Sequence, residues 1–223
     1  MPLLENIQNN FAPFLDHLKN NFLQEKRKNA LSQFYKNGFP TKKDEEYKYT
    51  NLKEIIEKDY QFSPSIEHQI SAEKLKDLRL GEEDFDCMIF INGVFHADLS
   101  SISIADAELL TFNNALNDEK NAAIFSTYFN KLANNGLAFT DLNLAYCKEG
   151  FFLKVPKNTI VDKPIHVFYL SDNQETNTFY NIRNLLIAEE GAQIEIIESH
   201  HNFDDTFVLT NSVTEIFAHP NSK

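Results

Sequence analysis

Cysteine is scarce in this 223-residue chain: Cys87 and Cys147 are far apart and show no C-x-x-C spacing. That excludes a disulfide framework and a paired-thiolate zinc site, and two thiols cannot by themselves supply a four-thiolate cluster site. Both are read as half-buried free thiols in a reducing compartment. Positive charge is in deficit, with 21 Lys+Arg against 33 Asp+Glu and a formal charge of -12. Such a surface repels phosphate backbones and anionic lipid headgroups, so no nucleic acid and no membrane is expected as a partner. No apolar run approaches the ~20 residues that span a bilayer, and the start MPLLENIQNNF lacks the basic and apolar stretches of a secretion signal. The expected location is therefore cytoplasmic. Catalytic motifs are missing as well: there is no G-x-S-x-G, no phosphate-cradling G-x-x-x-x-G-K-S/T and no H-E-x-x-H, so an independent enzyme is not expected.

What is present divides into two textures. Leu4, Ile7, Phe11, Phe14, Leu15 and Leu18 recur at spacings of three and four and predict an amphipathic helix. Phe22, Leu23, Ala30, Leu31, Phe34 and Tyr35 predict a second, stopped by Asn37-Gly38 and Pro40, the two forming a helical hairpin. Asn51 with Glu54 reads as a capping box, and Ser71 as the cap of a helix AEKLKDLRL ended by Gly81. DCMIFINGVFHADLSSISI alternates around Asn92-Gly93, a dipeptide suited to the positive φ of a tight hairpin turn. Helical spacing returns from Ala123 to Leu132, with Gly136 as a stop, and again in LAFTDLNLAYC.

From Gly150 onward the pattern is β: FFLKV, PIHVFYL, FYNIRNLLIAEE, AQIEIIES and TFVLTNSVTEIF, with no helical stretch between them for a βαβ crossover. The choice lies between an antiparallel sandwich and strands stacked as rungs of a β-helix. KEGFFLKVPK and EEGAQIEIIES each place glycine before a strand, a hint of repetition. The expected division is a helical region with a β-hairpin over residues 1–148 and the start of a β core over 149–223.

The densest run of charged and aromatic residues, FPTKKDEEYKYTNL, resembles the N-terminal signature of the SufB/SufD family of iron-sulfur cluster assembly proteins: Pro40, an acidic pair at Glu45 and Glu46, an aromatic at Tyr47, then Lys48, Tyr49 and Thr50. IFINGVFHADLS, with Asn92 and Gly93, is similar to the family's Val-Asn-Gly-x-Phe hairpin. FTDLNLAYCKEGFFLKVPKNTIVDKPIHVFYL, with Asn143 and Pro164, resembles its next segment, and RNLLIAEEGAQIEIIESH, with Arg183 and Gly191, the first passes of its core. Tyr47 stands where the family usually has tryptophan, a change that keeps the aromatic body. The resemblance implies an α+β fold in which the helical region is followed by the first rungs of a right-handed β-helix, and the helical start points to the SufD branch. It further implies a non-catalytic scaffold that pairs with the SufB paralogue and the ATPase SufC, which binds ATP, while the whole complex handles an iron-sulfur cluster. The cluster ligands and the SufC-binding region implied by the family would lie after Lys223. Hence no catalytic, cofactor or metal residue is carried over, and the signature residues are read as structural.

Three further candidates stand out. Glu198, His200, His201, Asp204 and Asp205 offer nitrogen and oxygen donors, but adjacent strand residues point to opposite faces, so a solvated turn is the better reading. Arg183, inside an apolar strand, is expected to pair with a carboxylate of a neighbouring rung. Asp141 and Asn143 are read as cap or turn residues. In an extended FPTKKDEEYKYT segment, Tyr47 and Tyr49 would share one side and clamp the helical hairpin. An uncovered edge at TFVLTNSVTEIF would favour self-association.

Overall fold

The computed structural model describes residues 1–18, 23–62, 70–78, 85–172 and 176–223. The expectations resting on Phe22, Arg79 and Gly81, and on the middle of the SDNQETN turn, lie outside the described residues. Helices α1 (Pro2–Asp16), α2 (Leu23–Asn37), α3 (Lys53–Ile56) and α4 (Ala72–Leu78) precede strands β1 (Asp86–Ile91), β2 (Val94–Phe95) and β3 (Glu108–Thr111). Helices α5 (Phe112–Asn117), α6 (Ala122–Tyr128) and α7 (Ala138–Tyr146) follow, and then β4 (Phe151–Val155), β5 (Ile165–Ser171), β6 (Thr178–Ala188), β7 (Ile196–Asn202) and β8 (Val208–Ala218).

The fold is mixed α+β, with two four-stranded sheets ordered β2-β1-β5-β7 and β3-β4-β6-β8. β1 pairs antiparallel with β2, and β3 with β4; every other pairing is parallel. From β4 onward successive strands alternate between the sheets, and each pairs with the strand two places along. Arg183 of β6 lies opposite Val213 of β8, and Val167 of β5 opposite Glu198 of β7. An antiparallel sandwich is thereby excluded.

The sheets face each other across a core of Met88, Phe90, Leu153, Val167, Ile182 and neighbours. The far side of the β4-β6-β8 sheet carries Phe152, Phe179, Leu185 and Ile187 against the helices. The far side of the other sheet packs Ile89, Ile91 and Phe168 against Ile70 and Leu75. Strand β6 is thus covered on both faces, which explains why all eleven of its residues are buried and why it reads as a continuous apolar run. Each wholly buried Phe or Leu here contributes on the order of 1.5–3 kcal/mol.

Several expectations change. Helix α2 packs mainly along α7, not against α1 as a hairpin, because Arg27 of α2 donates to the carbonyl oxygens of Leu144 and Ala145 where α7 ends, and a cation there meets the negative pole of the helix. A boundary at residue 148 does not separate two cores, since β1 and β3 complete the same sheets as β5 and β4. Strand β3 and helix α5 had no clear periodicity, and α5 starts from a Thr111 side-chain cap on the Asn114 N–H. Asn51 accepts from the Lys53 N–H, but the residue preceding α3 is Leu52, with no side-chain cap. Ser71 does cap α4, through the Lys74 N–H.

The repetition lies elsewhere than in the two glycine passages. Gly150 precedes a strand of one sheet and Gly191 a strand of the other, so they are not equivalent. The repeated feature is the turn leaving β4, β6 and β8: residues 156–159, 189–192 and 219–222 each close with a hydrogen bond from the fourth N–H to the first carbonyl. Asn158, Gly191 and Asn221 hold the third position with φ of 58°, 72° and 60°. That position of a type II turn requires positive φ, which Gly and Asn tolerate best. The turns stack, with Asn158 N–H donating to Glu190 O and Gly191 N–H to Pro220 O.

Candidate functional site

The buried polar centre of the molecule is built around Arg183. Alternation along β6 turns Ile182 and Asn184 toward the other sheet and Arg183 toward the helices. Its Nη2 donates to Glu215 Oε2 of β8 at 2.7 Å and to Asn130 Oδ1 at 3.0 Å, and Nη1 donates to Asn143 Oδ1 at 3.2 Å. The guanidinium lies 4.7 Å from the centre of the Phe129 ring. Glu215 in turn accepts the backbone N–H groups of Asn130, Leu132 and Ala133. This gathering ends α6 at Tyr128, short of the predicted stop at Gly136: the carboxylate takes N–H groups that a continuing helix would have used, and Asn130 turns at φ 57°. Arginine and glutamate are rarely buried unless paired, and this pair is out of solvent, with both Glu215 oxygens accepting and both Arg183 Nη atoms donating while Arg183 Nε has no partner among the described residues.

Asn143 is not a cap. Wholly buried on α7, it donates to the carbonyls of Ile182 and Asn211 while accepting from Arg183, so it bolts the helical layer to β6 and β8. Asp141 does not cap either; Leu137 precedes α7 with no side-chain cap, and burial raises the Asp141 pKa. A second polar link runs between the sheets: Asn184 accepts from Phe151 N–H and Tyr169 Oη and donates to Glu198 and Thr214.

Asn92 and Gly93 form the β1-β2 turn at φ 52° and 74°. Asn92 is buried and exchanges hydrogen bonds with the backbone of Asp172, while a Cβ on Gly93 would come within 2.7 Å of the Tyr180 ring. Pro164 precedes β5, where its carbonyl accepts from Asp86 N–H and sets the β1-β5 register. In the signature stretch, Glu45–Tyr47 is a turn of 3-10 helix, not extended. Tyr47 therefore packs toward Phe139, 6.1 Å between ring centres, whereas Tyr49 is 91% exposed, with the Lys48 ammonium over its ring. Phe39, against Phe34 and Phe139, holds the join that Tyr49 was expected to hold. Pro40, Glu46 and Tyr47 border a surface cleft beside Gly136, while Glu45, Lys48 and Thr50 are exposed.

The remaining candidates do not converge. His200 stacks on Tyr169, 4.9 Å between centres, and burial lowers its pKa; Asp204 bonds Thr206 in the following turn. Among the described residues no three His, Cys, Asp or Glu side chains are grouped to hold a metal ion, and none of the helices is long and apolar enough to cross a membrane. Cys87 and Cys147 are buried, deeper than expected. Sequence reasoning missed Glu215, Asn130 and Arg27, because nothing local marks a glutamate in TFVLTNSVTEIF as the partner of an arginine 32 residues earlier.

Residues 6–167 match the family described as "SufBD protein N-terminal region". The chain is similar to an iron-sulfur cluster assembly SufBD family protein of Synechocystis, 24% identical over 184 residues that cover 82% of this chain and 40% of that protein. It is also similar to SufBD family proteins of Staphylococcus saprophyticus and Staphylococcus aureus, each 32% identical over 45% of this chain and 22% of theirs. The matched region thus spans less than half the length of these curated relatives.

Proposed function

Since the chain belongs to the SufBD family, we propose that it serves iron-sulfur cluster assembly in the cytoplasm as a non-catalytic, SufD-type scaffold. In this reading it works beside a SufB paralogue and a SufC ATPase; ATP hydrolysis belongs to the ATPase, and the nascent cluster is cargo of the complex. The single observation that carries the reading is the family match across the helical layer and the first parallel pairing of the sheets. The alternation of β4 to β8 between sheets, with parallel pairing two strands along and stacked corners at Asn158, Gly191 and Asn221, supports reading these strands as successive coils of a β-helix. The polar centre at Arg183 supports a scaffold, because it binds the helical layer to β6 and β8.

The test is deletion of the gene, followed by the activity of the cell's iron-sulfur enzymes per unit of enzyme protein under iron limitation. Activity should fall and return on complementation. Unchanged activity with normal cluster content would remove the reading.

A further inference from the structure

Asparagine followed by glycine is the pair most prone to lose its side-chain amide, because glycine has no side chain to hinder attack of its nitrogen on the preceding carboxamide. The chain holds three such pairs, Asn37-Gly38, Asn92-Gly93 and Asn135-Gly136. They differ in what the reaction needs: a free glycine N–H, an activated carboxamide carbon, an unheld leaving amide and access for water. Asn92 is 1% exposed, and its side chain both accepts from the Asp172 N–H and donates to the Asp172 carbonyl, which fixes the carboxamide and excludes water. Asn37 is exposed, but it is the last residue of α2, and the Gly38 N–H is spent on the Phe34 carbonyl at 2.7 Å. Its amide also donates to the Gly136 carbonyl at 3.3 Å. Attack at Asn37 would break the closing bond of the helix and that link together.

Asn135 lacks each of these protections. It stands exposed in the loop between α6 and α7, after Ala133, whose N–H is held by Glu215, and before Gly136, whose carbonyl is held by Asn37. Among the described residues neither the Gly136 N–H nor Asn135 Nδ2 makes a hydrogen bond. Apart from its chain neighbours, no heavy atom lies within 4 Å of the place a Gly136 Cβ would take, so nothing packs against this stretch of loop. One bond is made, and it favours the reaction: Asn135 Oδ1 accepts from the Leu137 N–H at 3.2 Å. That bond folds the carboxamide back over Gly136 and sets a donor where negative charge gathers on the oxygen during attack.

We propose that Asn135 is a site of spontaneous modification, converted through a cyclic imide with Gly136 into aspartyl and isoaspartyl forms. The deprotonated Gly136 nitrogen bonds to Asn135 Cγ, and the Cγ–Nδ2 bond breaks to release ammonia, which carries away the displaced proton. Water then opens the imide ring at either carbonyl. One opening leaves an aspartyl residue in the original main chain; the other leaves an isoaspartyl residue, whose main chain runs through Cγ and is one methylene longer. No oxidant, reductant or cofactor is consumed. Either product puts a new carboxylate next to the cleft that Glu46, Tyr47 and Gly136 line, and the isoaspartyl form also displaces the Gly136 carbonyl that ties the loop to α2. The proposal does not depend on a role in cluster assembly.

The test incubates the full chain at pH 8, folded and in parallel unfolded in urea, and follows all three pairs by peptide mass mapping with fragmentation that separates isoaspartyl from aspartyl residues. In the folded protein Asn135 should convert about tenfold faster or more than Asn37 and Asn92, a ratio that the unfolded chain should lose. Both products should appear at Asn135, and conversion should slow at pH 6, where the Gly136 nitrogen gives up its proton less often. Equal rates at the three pairs in the folded protein, or faster loss at Asn37 or Asn92, would overturn the structural selection. An intact Asn135 in folded protein whose unfolded control has converted would overturn the site. Aspartate formed without isoaspartate, or a rate indifferent to pH, would overturn the imide route.

Discussion

Arg183 and Glu215 meet at 2.7 Å, side chain to side chain, with 0% and 1% of those side chains exposed, across adjacent parallel strands. The contact joins β6 to β8 and, through Asn130, Leu132, Ala133 and Asn143, joins both to the helical layer. The two residues are unequal in what they leave behind when removed.

Arg183→Leu strands a buried carboxylate that keeps its backbone donors, a loss of about 3–5 kcal/mol. Glu215→Ala strands the guanidinium and releases three N–H groups as well, so it should cost more than Arg183→Leu. Urea denaturation of the two variants measures the order; equal or reversed losses would show that the loop after α6 does not depend on Glu215.

Gly150 carries a different constraint. At φ 133°, a Cβ there would overlap the Arg183 carbonyl oxygen, which is backbone and cannot swing away. Gly150→Ala should therefore abolish cooperative folding, whereas Gly93→Ala, which meets the side chain of Tyr180, should only lower the melting temperature.

How far these features were legible follows from where their causes lie. The strands of the second half, the Asn92-Gly93 turn and the Ser71 cap are set by local residue types and were readable. The start of β7 was placed too early because AQIE carries the alternation of IIES but lies ahead of the β5-β7 ladder, where Gln193 makes an isolated parallel bridge to Ile160. Parallel register, the α2-α7 contact and the Glu215 cluster depend on partners dozens of residues away, which no local period encodes. The signature tyrosines misled because one turn of 3-10 helix separates residues that an extended chain would align. The family signature identified the lineage without revealing what Arg183 holds.

Glu149 makes stability depend on pH. Its folded pKa, about 7, exceeds the ordinary value of 4.5, so the folded state holds the proton more tightly. The unfolded chain loses that proton first as pH rises, and the penalty grows from about pH 4.5 to pH 7 and is complete above. Glu149→Gln should thus raise the melting temperature relative to the parent at pH 8 and much less at pH 5. An equal effect at both would show that the carboxyl is not withdrawn from solvent.

Tyr47 and Tyr49 provide a paired control. Tyr49→Ala should change stability by no more than about 0.5 kcal/mol, as for surface positions generally. Tyr47→Ala should cost about 1 kcal/mol through its lost contact with Phe139. Chemical denaturation of both variants tests the assignment, and a larger loss at Tyr49 would reverse it.

Strands β7 and β8 end their sheets among the described residues, and Ile197, Phe207 and Ile216 are exposed there. Unpaired edges recruit strands. The chain of residues 1–223 should show a mass that rises with concentration by light scattering, and a constant monomer mass would show that these edges are self-protected.

The most direct test of the scaffold account is purification of the protein tagged at its N-terminus at its own chromosomal locus, with mass spectrometry of what accompanies it. The account predicts a SufB paralogue and a SufC ATPase in comparable amounts. Recovery of the protein without either, from cells in which both are expressed, would contradict it.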